Sequence, residues 1–400
     1  MKLSNLLLPF LLLVSPCVSE AQTTNLHLRL EPRTNTIDLV VDGNAASGAF
    51  VIYQAHDLPS LLTNPVVSVQ TNTALTNGLR FSMPAAGTSP SQAFFNAVHW
   101  PGRTAGDVLC GGTNMVFIPA GAFAMGDSFN DSPDVWGERP VHTVQVSGFC
   151  MDKYEVTKAL WDEIYAWAVT HGYSFEYGAR GEAPNHPVQT VTWHDAVKWC
   201  NARSEKEGRT PACYLNAAQS VVYRSGQVNV QNDWVKWNAG YRLPTEAEWE
   251  KAARGGLSGR RFPLGDTITH AQANYYSRTN DAYNYAYDTS PTRDYHPAYD
   301  DGVYPYTGPA GSFAANGYGL HDMAGNVSEW CWDWWDGSYY SVSPGTDPFG
   351  PPSGTYRSWR GGSWGNHAIF LRSAFRSFNQ PVNRGYFIGF RCVVAGGSAP

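Results

Sequence analysis

Asn316-Gly-Tyr-Gly-Leu320, Gly325-Asn-Val-Ser-Glu-Trp330, Arg360-Gly-Gly-Ser-Trp364 and Gly389-Phe-Arg-Cys392 follow one another towards the end of this 400-residue chain. No cysteine stands between Cys331 and Cys392. From Gly265 onward the blocks are separated by long stretches without helical or strand periodicity, punctuated by Asn, Asp, Gly and Tyr. Loops of that length inside a compact domain are normally functional or pinned by something. Hard cations bound by carboxylates, amides and carbonyls can do the pinning. Asp322 and Glu329 flank Gly325 and Val327 in one turn, and Asn274 and Asp301 could form a second such site.

Upstream of the blocks the regular elements become readable. Met115 to Ile118 reads as a strand ended by Pro119-Ala-Gly121, and Val141 to Val146 as another. Lys158 to Ala168 carries apolar residues at helical spacing. Thr192 followed by Asp195 opens a helix expected to reach about Glu207. The clearest start is Thr245 with Glu248, a capping box, in a helix that Gly255-Gly256 stops.

Towards the N-terminus the composition changes. Lys2, the apolar run Leu6 to Val14, and Ser19-Glu20-Ala21 read as an export signal over residues 1–21, so the mature protein is expected to be secreted, periplasmic or at the cell surface. No later segment is long and apolar enough to span a membrane. Residues 24–99 read as a small all-β, sandwich-like module, with a hairpin expected around Asp42-Gly43. Residues 100–112, broken by Pro101, Gly102, Gly106, Gly111 and Gly112, read as a linker to a domain over 113–395.

Charged residues make up 16% of the chain and aromatic ones 14%, so aromatic packing and loops outweigh surface ion pairs. A net charge of -6 with no basic cluster argues against nucleic acid as a partner. Six cysteines remain beyond Cys17, which permits disulfides in an exported chain, but none forms a CxxC pair. The histidines show neither HxxxH nor HExxH spacing and read as structural.

Taken together, Met115 to Gly121, Met151 to Thr157, His186-Pro-Val188, Val191 to Ala196, Tyr241 to Glu250, Arg254-Gly-Gly256 and the C-terminal blocks resemble the sulfatase-modifying factor family over residues 113–395. The formylglycine-generating enzyme is the best known member of that family. The resemblance implies an α+β, C-type-lectin-like fold with little regular secondary structure. It also implies two structural calcium ions. One would use Asn274, the Tyr275 carbonyl, Asp301 and the Val303 carbonyl; the other would use Asp322, the Gly325 and Val327 carbonyls, and Glu329. The family's bridge between its central helix and its last strand falls on Cys200 and Cys392, worth about 4 kcal/mol in the chain-entropy model.

The family's oxidase holds Cu(I) on two thiolates, because soft sulfur ligands select that ion. Its loop corresponds here to Ser363, Asn366 and Leu371, with no cysteine from Trp332 to Arg391. Ser328 stands where the enzyme carries a tryptophan. Copper-dependent oxidation of a sulfatase cysteine is therefore not expected, which leaves open whether the chain is an enzyme at all. The expected cleft comprises Ser328, Trp364, His367, Arg372 and Arg376, near Trp330, Trp332, Trp334, Trp335 and Trp359, of which at least half should be core. Such a cleft suits an exported peptide or protein, or a glycan. The alternative is an oxidation of the formylglycine-generating type run by residues other than cysteine.

Overall fold

A computed structural model describes the strand backbones between residues 27 and 101, Cys110, and residues 114–130, 136–278 and 285–396. The chain divides into two compact units, 1–112 and 113–400. In the first unit the described backbone forms β1 (His27–Pro32), β2 (Thr36–Asp42), β3 (Gly48–Ala55), β4 (Val66–Asn72), β5 (Leu79–Pro84) and β6 (Phe94–Pro101). They make two three-stranded antiparallel sheets, β1-β2-β5 and β4-β3-β6. β2 and β3 lie in different sheets, so Asp42-Gly43 does not close a hairpin between them. Alternating apolar residues mark a strand but not its partner. Trp100 and Pro101, expected in the linker, pair with Ala49 and Gly48 as the end of β6. The expected export signal and most of the expected linker fall outside the described residues.

The second unit carries β7 (Met115–Ile118), β8 (Gly121–Met125), β9 (His142–Val146), β10 (Phe149–Asp152), α1 (Lys158–Ala168), α2 (Trp193–Lys206) and α3 (Glu246–Ala253). β11 (Ser328–Trp334), β12 (Arg357–Arg360), β13 (Ser377–Asn379), β14 (Ile388–Gly389) and β15 (Val393–Ala395) follow. The sheets run β15-β10-β7, β13-β12-β11-β14 and β8-β9. Long connections without regular structure separate them, as the sequence suggested.

Each helix begins where its cap predicts. Thr157 accepts from the Leu160 amide, Thr192 from that of Asp195, and Thr245 with Glu248 makes a reciprocal capping box. β10, β11 and α3 are buried along their whole length. Apolar packing joins Ile118, Met151, Trp249, Met323 and Val393 in one core. Trp330, Trp332 and Trp334 are buried, while Trp335 and Trp359 are half-buried.

A wholly buried helix cannot keep Glu246 and Glu250 dry without counter-charges. Arg376 grips Glu246 at 2.7 and 3.0 Å, and Arg360 reaches Glu246 at 3.3 Å and Glu250 at 2.6 Å. Arg254 closes the group on Glu250 at 2.7 Å. Burial pushes the Glu246 carboxyl up, but Arg376 and Arg360 outweigh it and hold it below the ordinary carboxylate range. These bonds join α3 to β12 and to the segment before β13.

The expected Cys200–Cys392 bond is not formed. The two sulfurs lie 3.5 Å apart as free thiols, well beyond the roughly 2.05 Å of a disulfide. α2 and the C-terminal segment do meet there, held by Asp152, which takes Arg203 at 2.8 Å and the Cys392 amide at 3.0 Å. Cys213 and Cys331 are also free and buried, while Cys110 and Cys150 are disulfide-bonded.

Removing one partner of a buried ion pair strands the other charge, which costs about 3–5 kcal/mol. Arg376→Ala is therefore expected to lower the unfolding free energy measured in urea by that amount, with a lower midpoint, and Arg376→Lys, lacking the bidentate fork, to recover only part of it. A midpoint unchanged in Arg376→Ala would show that the Arg376–Glu246 bonds do not hold α3.

Candidate functional site

Two glycine turns set the loops of the C-terminal half. Gly325 has φ +82, and a Cβ there would lie 2.2 Å from the Asn274 carbonyl oxygen. Gly362, φ +67, would meet the Phe370 carbonyl and Leu371 within 3 Å. The first turn brings residues 274 and 322–329 together, and the second folds 361–371 back on itself.

Around the first turn the structure gathers a carboxylate cluster. Glu155 is buried and accepts from the Val327 amide at 3.0 Å and the Asn326 amide side chain at 2.6 Å. Burial, then the charges of Asp322 and Glu329, push its carboxyl well up. Asp322, itself in the left-handed region at φ 57, accepts from the Gly311 amide through Oδ2, while its buried Oδ1 has no hydrogen-bond partner. Burial raises Asp322 to about 6, against the Gly311 amide and Arg391. Glu329 takes Arg391 through both oxygens, at 2.6 and 2.8 Å, and Trp249 Nε1 at 2.8 Å.

The expected calcium ligands are therefore differently placed. In the 322–329 set, Asp322 Oδ1 is an unsatisfied hard oxygen, and Glu329 Oε1, which accepts from Arg391 Nη2, keeps a lone pair. That donor set fits Ca²⁺ in chemistry and charge. In the other set, Asn274 is buried with Oδ1 unpartnered and Nδ2 donating to the Tyr306 carbonyl. The Tyr275 carbonyl accepts from His270 Nε2, Asp301 accepts from the Val303 amide, and Asp301 and Val303 sit on an exposed loop. Among the described residues no group of three or more His, Cys, Asp or Glu side chains is placed to hold a metal ion by itself. Glu155 escaped sequence reading, although the Met151 to Thr157 block contains it. Nothing in its local spacing announced a partner 172 residues away.

The second turn holds the loop where the resemblance puts copper. Ser363 Oγ donates to Asn366 Oδ1 at 2.8 Å, and the Asn366 carbonyl accepts from the Tyr276 amide. Leu371 is fully buried against Tyr275, Tyr285 and Ala368. A hydroxyl, an amide and an alkyl side chain do not fit Cu(I), which selects sulfur.

Two residues of the expected cleft are instead structural. Arg372 pairs with Glu138 at 2.6 and 2.8 Å and Arg376 with Glu246, both buried, so that each desolvated guanidinium is answered by a carboxylate. Ser328 is buried in β11, its amide donating to the Phe387 carbonyl. Trp364 and His367 do border a common region. Trp364 packs against Tyr304 and Tyr306, ring centroids 5.4 Å away in each case, and donates through Nε1 to the Tyr386 carbonyl. Tyr276 lies 5.2 Å from His367 and 4.7 Å from Tyr295. Tyr304 is 59% exposed and Tyr386 47%, so the group presents an aromatic face. These tyrosines read in the sequence only as loop punctuation.

Residues 108–395 match the family described as "Sulfatase-modifying factor enzyme 1-like domain". The chain belongs to this family. It is 37% identical over 300 residues to the formylglycine-generating enzyme of Thermomonospora curvata, covering 70% of this chain and 92% of that protein. It is 34% identical over 327 residues to that of Mus musculus, covering 76% and 81%. Among solved structures it is similar to Treponema denticola variable protein 1, with a TM-score of 0.52 and 28% identity, covering 70% of this chain and 94% of that one. The mixed helix and sheet with few helices agrees with membership, and among the described residues no helix is long and apolar enough to cross a membrane.

Because burial raises Asp322 from 3.8 to about 6, the folded state binds its proton more tightly than the unfolded one. In metal-free protein its contribution is then most favourable below the unfolded value and is lost as pH rises through about 6. Asp322→Asn is expected to raise the chelator-treated melting temperature at pH 7 and to change it little near pH 4. Equal effects at both pH values would refute this assignment.

Proposed function

We propose that residues 113–395 act as an exported, calcium-stabilised binding module that takes a peptide or glycan at the aromatic face around Trp364, without copper-dependent cysteine oxidation. The observation that carries the reading is the loop behind Gly362. Leu371 is core and Asn366 is engaged by Ser363, so the loop offers no soft ligand where the oxidase needs two. The exposed rings beside it support recognition, since loops on a rigid scaffold commonly carry binding.

The identity to formylglycine-generating enzymes favours the second reading, an oxidation of that type by other residues. The two separate on one measurement. Purified protein incubated with Cu(I), O₂ and a peptide bearing a cysteine-type sulfatase motif is expected to leave the cysteine unconverted by mass spectrometry. Formylglycine above the protein-free control would overturn the binding reading.

Calcium is supported by the orphan oxygen of Asp322 and the buried amide of Asn274. Asp322 and Glu329, with the Gly325 and Val327 carbonyls, would hold one ion; Asn274, Asp301 and the Tyr275 and Val303 carbonyls would hold the other. Bound ions would neutralise the buried carboxylates and tie down the loops. Added Ca²⁺ is expected to raise the melting temperature and a chelator to reverse it, with Asp322→Asn losing much of the response. A transition indifferent to both would count against calcium.

A further inference from the structure

Next to the Trp364 face lies a patch of different chemistry. Arg384 places its guanidinium carbon 3.8 Å from the ring centroid of Tyr177. Arg180 sits 5.9 Å from the Tyr386 centroid, with Nη1 3.4 Å from its hydroxyl. The two loops that supply these residues are stitched together, because the Thr190 amide donates to the Gly385 carbonyl and the Arg180 amide to that of Gln189. The patch is continuous with the aromatic face, since the Tyr386 carbonyl takes Trp364 Nε1 at 3.1 Å.

Most arginines of the domain hold a carboxylate, while buried Arg357 meets aromatic rings and the Trp332 carbonyl instead. Arg203, Arg254, Arg360, Arg372, Arg376 and Arg391 each hold a carboxylate. Among the described residues Arg180 and Arg384 have none, and both are exposed. Exposed Glu176 and Glu182 lie close by in the chain, but neither is paired with these two guanidiniums, which stay available to an outside carboxylate. We propose that Tyr177, Arg180, Arg384 and Tyr386 form a docking surface for an acidic, extended peptide segment of a partner protein, running on to Tyr304 and Phe387. The proposal rests on the binding reading above and names its ligand class.

The geometry favours a peptide over a glycan. A pyranose needs an open ring face, whereas each ring of the patch already has a guanidinium over it, and Tyr304, Tyr306 and Trp364 cover one another. What is presented is two guanidinium forks, which pair carboxylates bidentately, beside the apolar edges of Phe387 and Tyr304. An extended chain carrying acidic and aromatic residues meets both.

The test titrates the purified full chain into a fluorescent random copolymer of glutamate and tyrosine, with a lysine–tyrosine copolymer and chondroitin sulfate as comparisons, read by anisotropy. Binding of the acidic copolymer, weakening with salt, is expected. Arg180→Gln with Arg384→Gln should weaken it at least roughly tenfold. Arg180→Glu with Arg384→Glu should shift preference to the lysine–tyrosine copolymer while the melting temperature stays that of the parent, so that the gain is read on folded protein. Affinity unchanged in both double variants would overturn the proposal, as would chondroitin sulfate binding in place of the acidic copolymer. If Tyr304→Ala then abolished binding while the arginine variants did not, the aromatic face would stand and the acidic ligand would fall. Failure of all three probes would overturn both.

Discussion

Two carboxylates inside an eight-residue helix set the terms for the rest of the second unit. Glu246 and Glu250 are almost wholly excluded from water, so α3 can sit in the core only if cations come to it. Arg254 comes from the C-cap of the helix, Arg360 from β12 and Arg376 from the segment before β13. The chain between Arg360 and Arg376 is thereby clamped at both ends, whatever it carries in the middle. Arg372 adds a third clamp on Glu138. The arginines that looked like ligand grips are the fasteners of the loop that bears the site.

A second concentration of charge lies under the other turn and is less completely answered. Glu155, Asp322 and Glu329 share essentially one guanidinium, that of Arg391, which is bidentate to Glu329 alone. Burial first, and then the neighbouring carboxylates, raise Glu155 and Asp322 by more than Arg391 lowers them. Such a cluster has two ways to relax, by taking up protons or by taking up a cation.

Local rules carried the parts of the fold that local chemistry decides. Thr245 and Glu248 predicted both the start of α3 and its capping bonds, because every partner lies within one helical turn. The strands β2 and β3 were legible as strands, but not as members of separate sheets, because alternation says nothing about what lies across the ladder. Cys200 and Cys392 were rightly brought together across 192 residues by family order, though as thiols rather than a bridge. The site was the hardest to read. The loss of thiols at Asn366 and Leu371 could be read directly, whereas the buried roles of Arg372 and Arg376 depended on Glu138 and Glu246, more than a hundred residues upstream. The tyrosine face depended on three loops meeting at Trp364, which no spacing encodes.

With Gly361 and Gly362 making the turn, Leu371 sealed into the core and an arginine fastened at either end, residues 363–370 form a segment whose ends are fixed from outside it. Ordering such a segment on ligand capture carries little entropic penalty. Its less buried positions, such as Asn366 and His367, can change while the backbone keeps its path. A frame of that kind separates folding from recognition: inheritance can preserve the one and rewrite the other.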